Sequence, residues 1–250
     1  MVFAGKQALV VGGTGGIGRG IALSLAERGA GVTITGGSSQ ERLDTALTEL
    51  DKISKERFPK ASHSGFLCFI GPEGLSPEKA AVLILERASP DLLVLAWGPF
   101  SKIPLEETKP RDWRFLTETN LIFPGIMISS VLCAMINKGW GRILLFGGTK
   151  TGDLRGFSGT VAYSAAKTAL GVLAKSVAKR AGNAGVTCNV ICPGLTDTEY
   201  TNPEEQAYNR SKTPGGKALK SEEITHLAME LLENPVLNGA IISADRGLWV

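Results

Sequence analysis

Short apolar runs alternate with longer stretches of helical periodicity along most of the chain. Residues 8–11 (ALVV) are apolar and rich in β-branched side chains, the pattern of a strand covered on both faces. Ile17, Ile21 and Leu25 then recur every fourth residue, which marks one face of a helix. Similar apolar runs predict strands over 31–35, 65–70, 91–96, 141–146, 186–191 and 239–243. Helical segments are predicted over 41–50, 77–88, 110–137, from Tyr163 to about Ala181, and 222–233. Pro124 lies inside the longest of these and predicts a kink there, or a break just before it. Strands and helices in this rhythm predict an α/β, Rossmann-like doubly wound parallel sheet of about seven strands, with helices on both faces. No linker, internal repeat or low-complexity segment divides residues 1–250, so one domain is expected. The stretch 199–217 is polar, with Tyr200 and Tyr208 as its aromatics, and has the composition of a substrate flap.

Composition narrows the function classes. With 43% hydrophobic and 20% charged residues, the 250-residue chain has the make-up of a soluble globular protein. A net charge of +3 is too small to argue for nucleic acid and is compatible with an anionic cofactor. Cys68, Cys133, Cys188 and Cys192 form no C-x-x-C pair, and His63 and His226 are remote from them, so no metal site is expected. The same cysteine usage, and a first strand that starts within a few residues of Met1, predict a reducing, cytoplasmic setting without a signal peptide. Residues 121–136 carry no charge, but sixteen residues fall short of the roughly 20 that span a bilayer. A helix buried by core on one side and by a second subunit on the other fits that run better than a membrane.

The densest chemical signal is the turn after the first strand, where five glycines fall within residues 12–18. Strand, glycine turn and helix together open a dinucleotide-binding unit. Glycine permits the sharp turn and a close backbone approach to a pyrophosphate at the positive end of the helix. Two registers fit: Gly13, Gly15 and Gly18 as G-x-G-x-x-G, or Gly12, Gly16 and Gly18 as G-x-x-x-G-x-G. After the second strand come Gly36, Gly37, Ser38, Ser39 and Gln40, with Glu41 and Arg42 later. No carboxylate stands where one usually meets the ribose 2′-hydroxyl of NAD, and Ser38, Ser39 and Arg42 are able to donate to a 2′-phosphate. This favours NADP(H) over NAD(H); the same residues also suit a polar turn that opens a helix. Further on, Tyr163 and Lys167 lie one helical turn apart on one face. An ammonium beside a phenol lowers its pKa and suits proton exchange with a carbonyl or alcohol oxygen, although spacing alone equally describes a packed Tyr and a solvated Lys.

In combination these motifs resemble the short-chain dehydrogenase/reductases. The matching residues are GGTGGIG at 12–18, Asn120, Tyr163-x-x-x-Lys167, Asn189, Pro193-Gly194-x-x-x-Thr198 and the closing Asn238-Gly239 and Asp245-Arg246-Gly247. Within that family the chain looks most like reductases of the 3-oxoacyl carrier-protein type. The resemblance implies an oxidoreductase that interconverts a carbonyl and an alcohol on a small or acyl-chain substrate. Tyr163 would be the general acid/base, Lys167 would hold the nicotinamide ribose and lower the tyrosine pKa, and Asn120 would hold a water. Gly12, Thr14, Gly16, Ile17, Gly18 and Gly98 would face the cofactor, and Pro193, Gly194, Thr196 and Thr198 its nicotinamide carboxamide.

Departures from the family pattern are specific. The catalytic serine falls on Gly148 when counted forward from the fifth strand and on Lys150 when counted back from Tyr163. Thr149, or else Thr151, is left to supply the hydroxyl, with Thr149 preferred. The family's Asn-Asn-Ala-Gly is Leu95-Ala96-Trp97-Gly98 here, its adenine-side Asp is replaced near Phe69-Ile70, and Val11 stands for the leading Thr. These losses keep a second function open: a relative that binds nucleotide or a partner with little turnover. The resemblance also implies a homodimer or homotetramer, built on residues 121–136 and the helix after Tyr163, with Leu248, Trp249 and Val250 at a second interface.

Overall fold

The computed structural model describes residues 2–248; Trp249 and Val250, expected at an interface, lie outside the described residues. In chain order the strands are β1 (Gln7–Val11), β2 (Gly31–Gly36), β3 (His63–Leu67), β4 (Leu92–Leu95), β5 (Gly141–Phe146), β6 (Val186–Pro193), β7 (Thr196–Asp197), β8 (Leu219–Lys220) and β9 (Ile241–Ala244). Seven of them form one parallel sheet in the order β3-β2-β1-β4-β5-β6-β9, while β7 and β8 pair separately. The helices are α1 (Gly16–Glu27), α2 (Gln40–Arg57), α3 (Pro77–Leu85), α4 (Pro110–Thr117), α5 (Phe123–Lys138), α6 (Val161–Ala181), α7 (Pro203–Lys212) and α8 (Ser221–Glu233).

Alternate residues of each central strand feed two cores. Ala8 and Val10 of β1 pack with Ile21 and Leu25 of α1 and with Ile224 and Met229 of α8. Leu9 and Val11 pack on the other face with Ile84 of α3, Met127 of α5 and Leu170 of α6. This two-sided burial is why the strands are continuously apolar rather than alternating. The order reverses direction between β1 and β4, and the crevice beyond the carboxyl ends of those two strands is where open α/β sheets bind ligands.

One strand boundary differs from the sequence pattern, and the helix break falls where Pro124 predicts it. The third strand lies at 63–67 instead of 65–70: His63 and Ser64 pair with Val32 and Thr33, whereas Phe69 stands half exposed and Ile70 bridges to Leu75 in the following turn. An edge strand accepts polar residues at its start, so the apolar run misplaces it by two positions. The long helical segment breaks just before Pro124, and the break is a π turn over Glu118–Ile122 that ends α4 and begins α5. Within the uncharged stretch Phe123, Met127, Ile128, Val131 and Met135 are buried, whereas Ser129, Ser130 and Cys133 face outward. It is a core helix with one small, uncharged outer face. The polar stretch 199–217 contains a helix, α7, closed at its start by a reciprocal cap between Asn202 and Glu205.

Candidate active site

At the end of β1 the amides of Gly12 and Gly13 both donate to the Thr35 carbonyl, which turns the chain into α1. Gly12 (φ +82) and Gly16 (φ +54) occupy backbone conformations that disfavour a side chain. Gly18 faces the Gly12 carbonyl so closely that a Cβ would overlap it. Geometry thus favours the register of Gly12, Gly16 and Gly18, with the first two shaping the turn and the third letting α1 sit against it. Ile17, in the first turn of α1, packs against the core, and Thr14 borders the surface groove that also contains Arg42.

The second cluster lies beyond β4 and β5. Lys167 is buried, and its ammonium donates to the Phe146 carbonyl at 2.9 Å. Asn120, fully buried on the π turn, donates from Nδ2 to the Pro99 carbonyl at 3.0 Å, and its Oδ1 has no partner. A π turn inserted in a helix frequently marks a functional position, and here it buries Asn120 beside Gly98. Gly98 completes the arrangement: a Cβ there would overlap Asn120 Oδ1 and come within 2.9 Å of Lys167 Nζ. Tyr163 lies one turn ahead of Lys167 on α6, its ring centroid 5.9 Å from Nζ, and the ring of Phe100 meets it edge to face at 5.0 Å. The sequence reading missed Phe100; its one signal is an aromatic two residues past Gly98 at the carboxyl end of β4.

Burial decides the ionisation of the pair. It pushes the Tyr163 phenol up to about 12, with the Cys192 thiol adding to the rise, and the Lys167 ammonium down to about 8. The expected lowering of the tyrosine pKa by lysine is therefore corrected. Lys167 is committed to the Phe146 carbonyl, and loss of solvation is the largest influence on the phenol. At neutral pH the phenol is protonated.

The loop after β5 separates the residues considered for the serine's role. Gly148 lies against Tyr163, whose hydroxyl is 2.8 Å from the position of a Cβ. Thr149 donates its hydroxyl to the Pro193 carbonyl at 3.0 Å. Thr151 is buried in a closed turn, accepting from the Gly148 amide and donating to the Gly148 carbonyl. Lys150 adopts a left-handed conformation (φ +69) between them. Beyond β6, the Gly194 amide donates to Ala244, and Thr196 donates to the Gly194 carbonyl. Thr198 Oγ1 accepts from the Tyr200 amide, and the Thr198 methyl lies beside Gly16. The chain past Pro193 thus returns to the glycine turn, and Glu199 and Tyr200 rest against it.

Past β2, Ser39 is spent as the cap of α2, accepting from the Arg42 amide at 3.3 Å. Ser38 is exposed, Arg42 is exposed and lines the groove, and the Arg42 guanidinium lies 4.6 Å from the Tyr200 ring centroid. Trp97 packs edge to face on Phe123 at 6.2 Å, with its Cβ beside Gly12. Taken together, the residues fit a dinucleotide. Side-chain-free positions at 12, 98 and 148 follow the ends of β1, β4 and β5, the orphaned Asn120 oxygen lies beside position 98, and the amino end of α1 is a place for an anion that the Glu199 carboxylate takes here.

This fold and site define the chain's class: it belongs to the short-chain dehydrogenase/reductase family, and it is an oxidoreductase acting on CH–OH and C=O groups. Residues 72–249 match the family described as enoyl-(acyl carrier protein) reductase, and residues 6–63 match short chain dehydrogenase. Among individual proteins, the chain is 29% identical to the 3-oxoacyl-[acyl-carrier-protein] reductase of Escherichia coli K12 and 30% identical to that of Vibrio cholerae, each over the whole of both chains. The crystal structure of a 3-oxoacyl (acyl-carrier-protein) reductase from Agrobacterium tumefaciens C58 with NADP bound superposes with a TM-score of 0.84 at 26% identity, covering 98% of this chain and 94% of that one.

Proposed function

We propose that the protein is an NADP(H)-dependent reductase of a small or acyl-chain carbonyl compound, with Tyr163 as the proton donor. The observation that carries this reading is the meeting of the buried Lys167 ammonium and the orphaned Asn120 oxygen beside Gly98, with the Tyr163 ring 5.9 Å from that ammonium and its hydroxyl against Gly148. The nicotinamide supplies or accepts the hydride when it is bound. Gly12, Gly16 and Gly18 hold the pyrophosphate at the amino end of α1, and Thr14 and Ile17 border it. Ser38 and Arg42 receive the 2′-phosphate, and Gly98, Pro193, Gly194, Thr196 and Thr198 border the nicotinamide end.

Tyr163 is protonated at neutral pH and gives its hydroxyl proton to the substrate oxygen as that oxygen gains charge. Lys167 supplies a fixed positive charge behind the phenol and holds the cofactor ribose. Asn120 Oδ1 accepts from a water that returns the proton. Phe100 forms an apolar wall against the phenol, which favours a carbonyl with a hydrocarbon flank. The polar segment 199–217 acts as the substrate flap, and the small outer face of α5 together with α6 forms the contact of a homodimer or homotetramer in the cytoplasm. Titration with NADPH and NADH, read by quenching of intrinsic fluorescence, tests the cofactor assignment: NADPH should bind at least tenfold tighter, and equal affinity contradicts it.

The absence of a serine from both counted places, Gly148 and Lys150, and the engaged Thr149 hydroxyl favour a second reading, a nucleotide-binding relative with little turnover. That reading requires tight NADPH binding without NADPH oxidation across a broad panel of carbonyls.

A further inference from the structure

The amino end of α1 is already engaged by the chain itself. The Gly16 amide donates to Oε1 of Glu199 at 2.7 Å, across 183 residues of sequence. A Cβ on Gly15 would fall on the Tyr200 hydroxyl and within 2.9 Å of the same carboxylate oxygen. Thus Gly15 is a residue against which the flap closes, a second role within the glycine turn. Burial and the adjoining Glu199 carboxylate push the Tyr200 phenol up. On its other side the Tyr200 ring carries the Arg42 guanidinium, 4.6 Å from its centroid.

An anion at a helix amino end is stabilised by free amides and the dipole, whether it is a phosphate or a carboxylate. The chain places both parts of such a ligand: Glu199 at the pyrophosphate position, and Tyr200 over the cation assigned to the 2′-phosphate. The pair belongs to a pinned turn, in which Thr201 Oγ1 accepts from the Thr198 amide at 2.9 Å. Asn209 of α7 donates to Asp197 at 2.8 Å, so the turn is joined to the flap helix.

We infer that Glu199 and Tyr200 form an internal strap that occupies the dinucleotide's phosphate groove and must be displaced when the cofactor binds. The strap makes cofactor entry and repositioning of the 199–212 flap a single event. It lowers apparent cofactor affinity by the fraction of molecules in which the groove is open. This inference rests on the NADP(H) reading above.

The test is a titration of the full chain with NADP⁺, alongside Glu199→Gln, Glu199→Ala, Tyr200→Leu and the Glu199→Ala/Tyr200→Leu pair, each checked by circular dichroism. Removal of the strap should tighten NADP⁺ binding at least fivefold in the double variant. Glu199→Gln should tighten it less than Glu199→Ala, because the amide oxygen still accepts from Gly16. Without NADP⁺, exchange of the Gly16 amide with solvent should be faster in Glu199→Ala than in the parent. If the parent binds NADP⁺ and the variants bind it equally or more weakly, the strap is overturned while the cofactor assignment stands. If neither parent nor variants bind NADP⁺, the cofactor assignment and the strap fall together.

Discussion

The Tyr163 hydroxyl occupies space that a side chain on Gly148 would need: a Cβ there would lie 2.8 Å from the hydroxyl and 2.7 Å from Cε1 of the ring. The glycine at the position counted forward for the serine and the position of the phenol are thus one structural fact. Any side chain at 148 has to move the ring, because the backbone of β5 behind it is held in the sheet. Gly148→Ala should reduce kcat at least tenfold with little change in NADPH affinity, and Gly148→Ser should not raise turnover above the parent. Steady-state kinetics with a fixed carbonyl substrate check both, and a serine variant faster than the parent would count against this relationship.

Lys167 bears the cost of the site. Its pKa falls from the ordinary 10.5 to about 8 on burial, so between those values the unfolded chain binds more protons and stability rises with pH. Below pH 8 the penalty is fully present and reaches at most about 3 kcal/mol. Lys167→Met removes that penalty but leaves the Phe146 carbonyl without its donor, a loss of about 1–3 kcal/mol. Lys167→Met should therefore be at least as stable as the parent at pH 7 and less stable at pH 10.5. Urea unfolding at the two pH values measures the crossover, and a pH-independent difference contradicts it.

Asn189 holds the far side of the sheet. Fully buried on β6, it donates to the Leu237 carbonyl at 2.8 Å and accepts from the Ala240 amide at 2.9 Å, fastening the turn that leads into β9. Asn189→Ala leaves both backbone groups unpaired and should cost about 2–4 kcal/mol. Thermal and urea denaturation check this, and a change below 0.5 kcal/mol, within the range of ordinary surface substitutions, would show the bonds to be replaceable.

The outer face of α5 offers Ser129, Ser130 and Cys133 with no charge among them, and Val172 stands out from α6. Light scattering at micromolar concentration should give a dimer or tetramer mass. Ser129→Arg, which puts a charge on that face, should shift the mass toward the monomer with the fold retained. A monomeric parent would remove the interface.

Much of this was readable from pattern because the central strands are buried on both faces and the glycines, Tyr163 and Lys167 stand at fixed spacings. The boundaries of β5 follow directly from Gly141 and Phe146. The third strand was misplaced because residues 65–70 form one apolar run, of which only the first three pair with β2, while Ile70 buries itself in a turn. Pro124 marked the break in the long helix, but not the widened turn that buries Asn120 beside Gly98. The phenol was expected to be acidified because spacing shows the ammonium and not the desolvation, which in the folded chain dominates both groups. Glu199 and Tyr200 read as unremarkable flap residues, since their partners at Gly15, Gly16 and Arg42 are supplied by a remote part of the chain.

The central claim is that the phenol of Tyr163 gives the proton to a reduced carbonyl. Its most direct test is NADPH oxidation at 340 nm by the parent and by Tyr163→Phe over a panel that includes 3-oxoacyl thioesters, with NADPH binding measured in parallel. The variant should bind NADPH as the parent does and lose turnover by at least about a hundredfold, the typical weight of a positioned acid. Turnover by Tyr163→Phe equal to that of the parent would contradict the account.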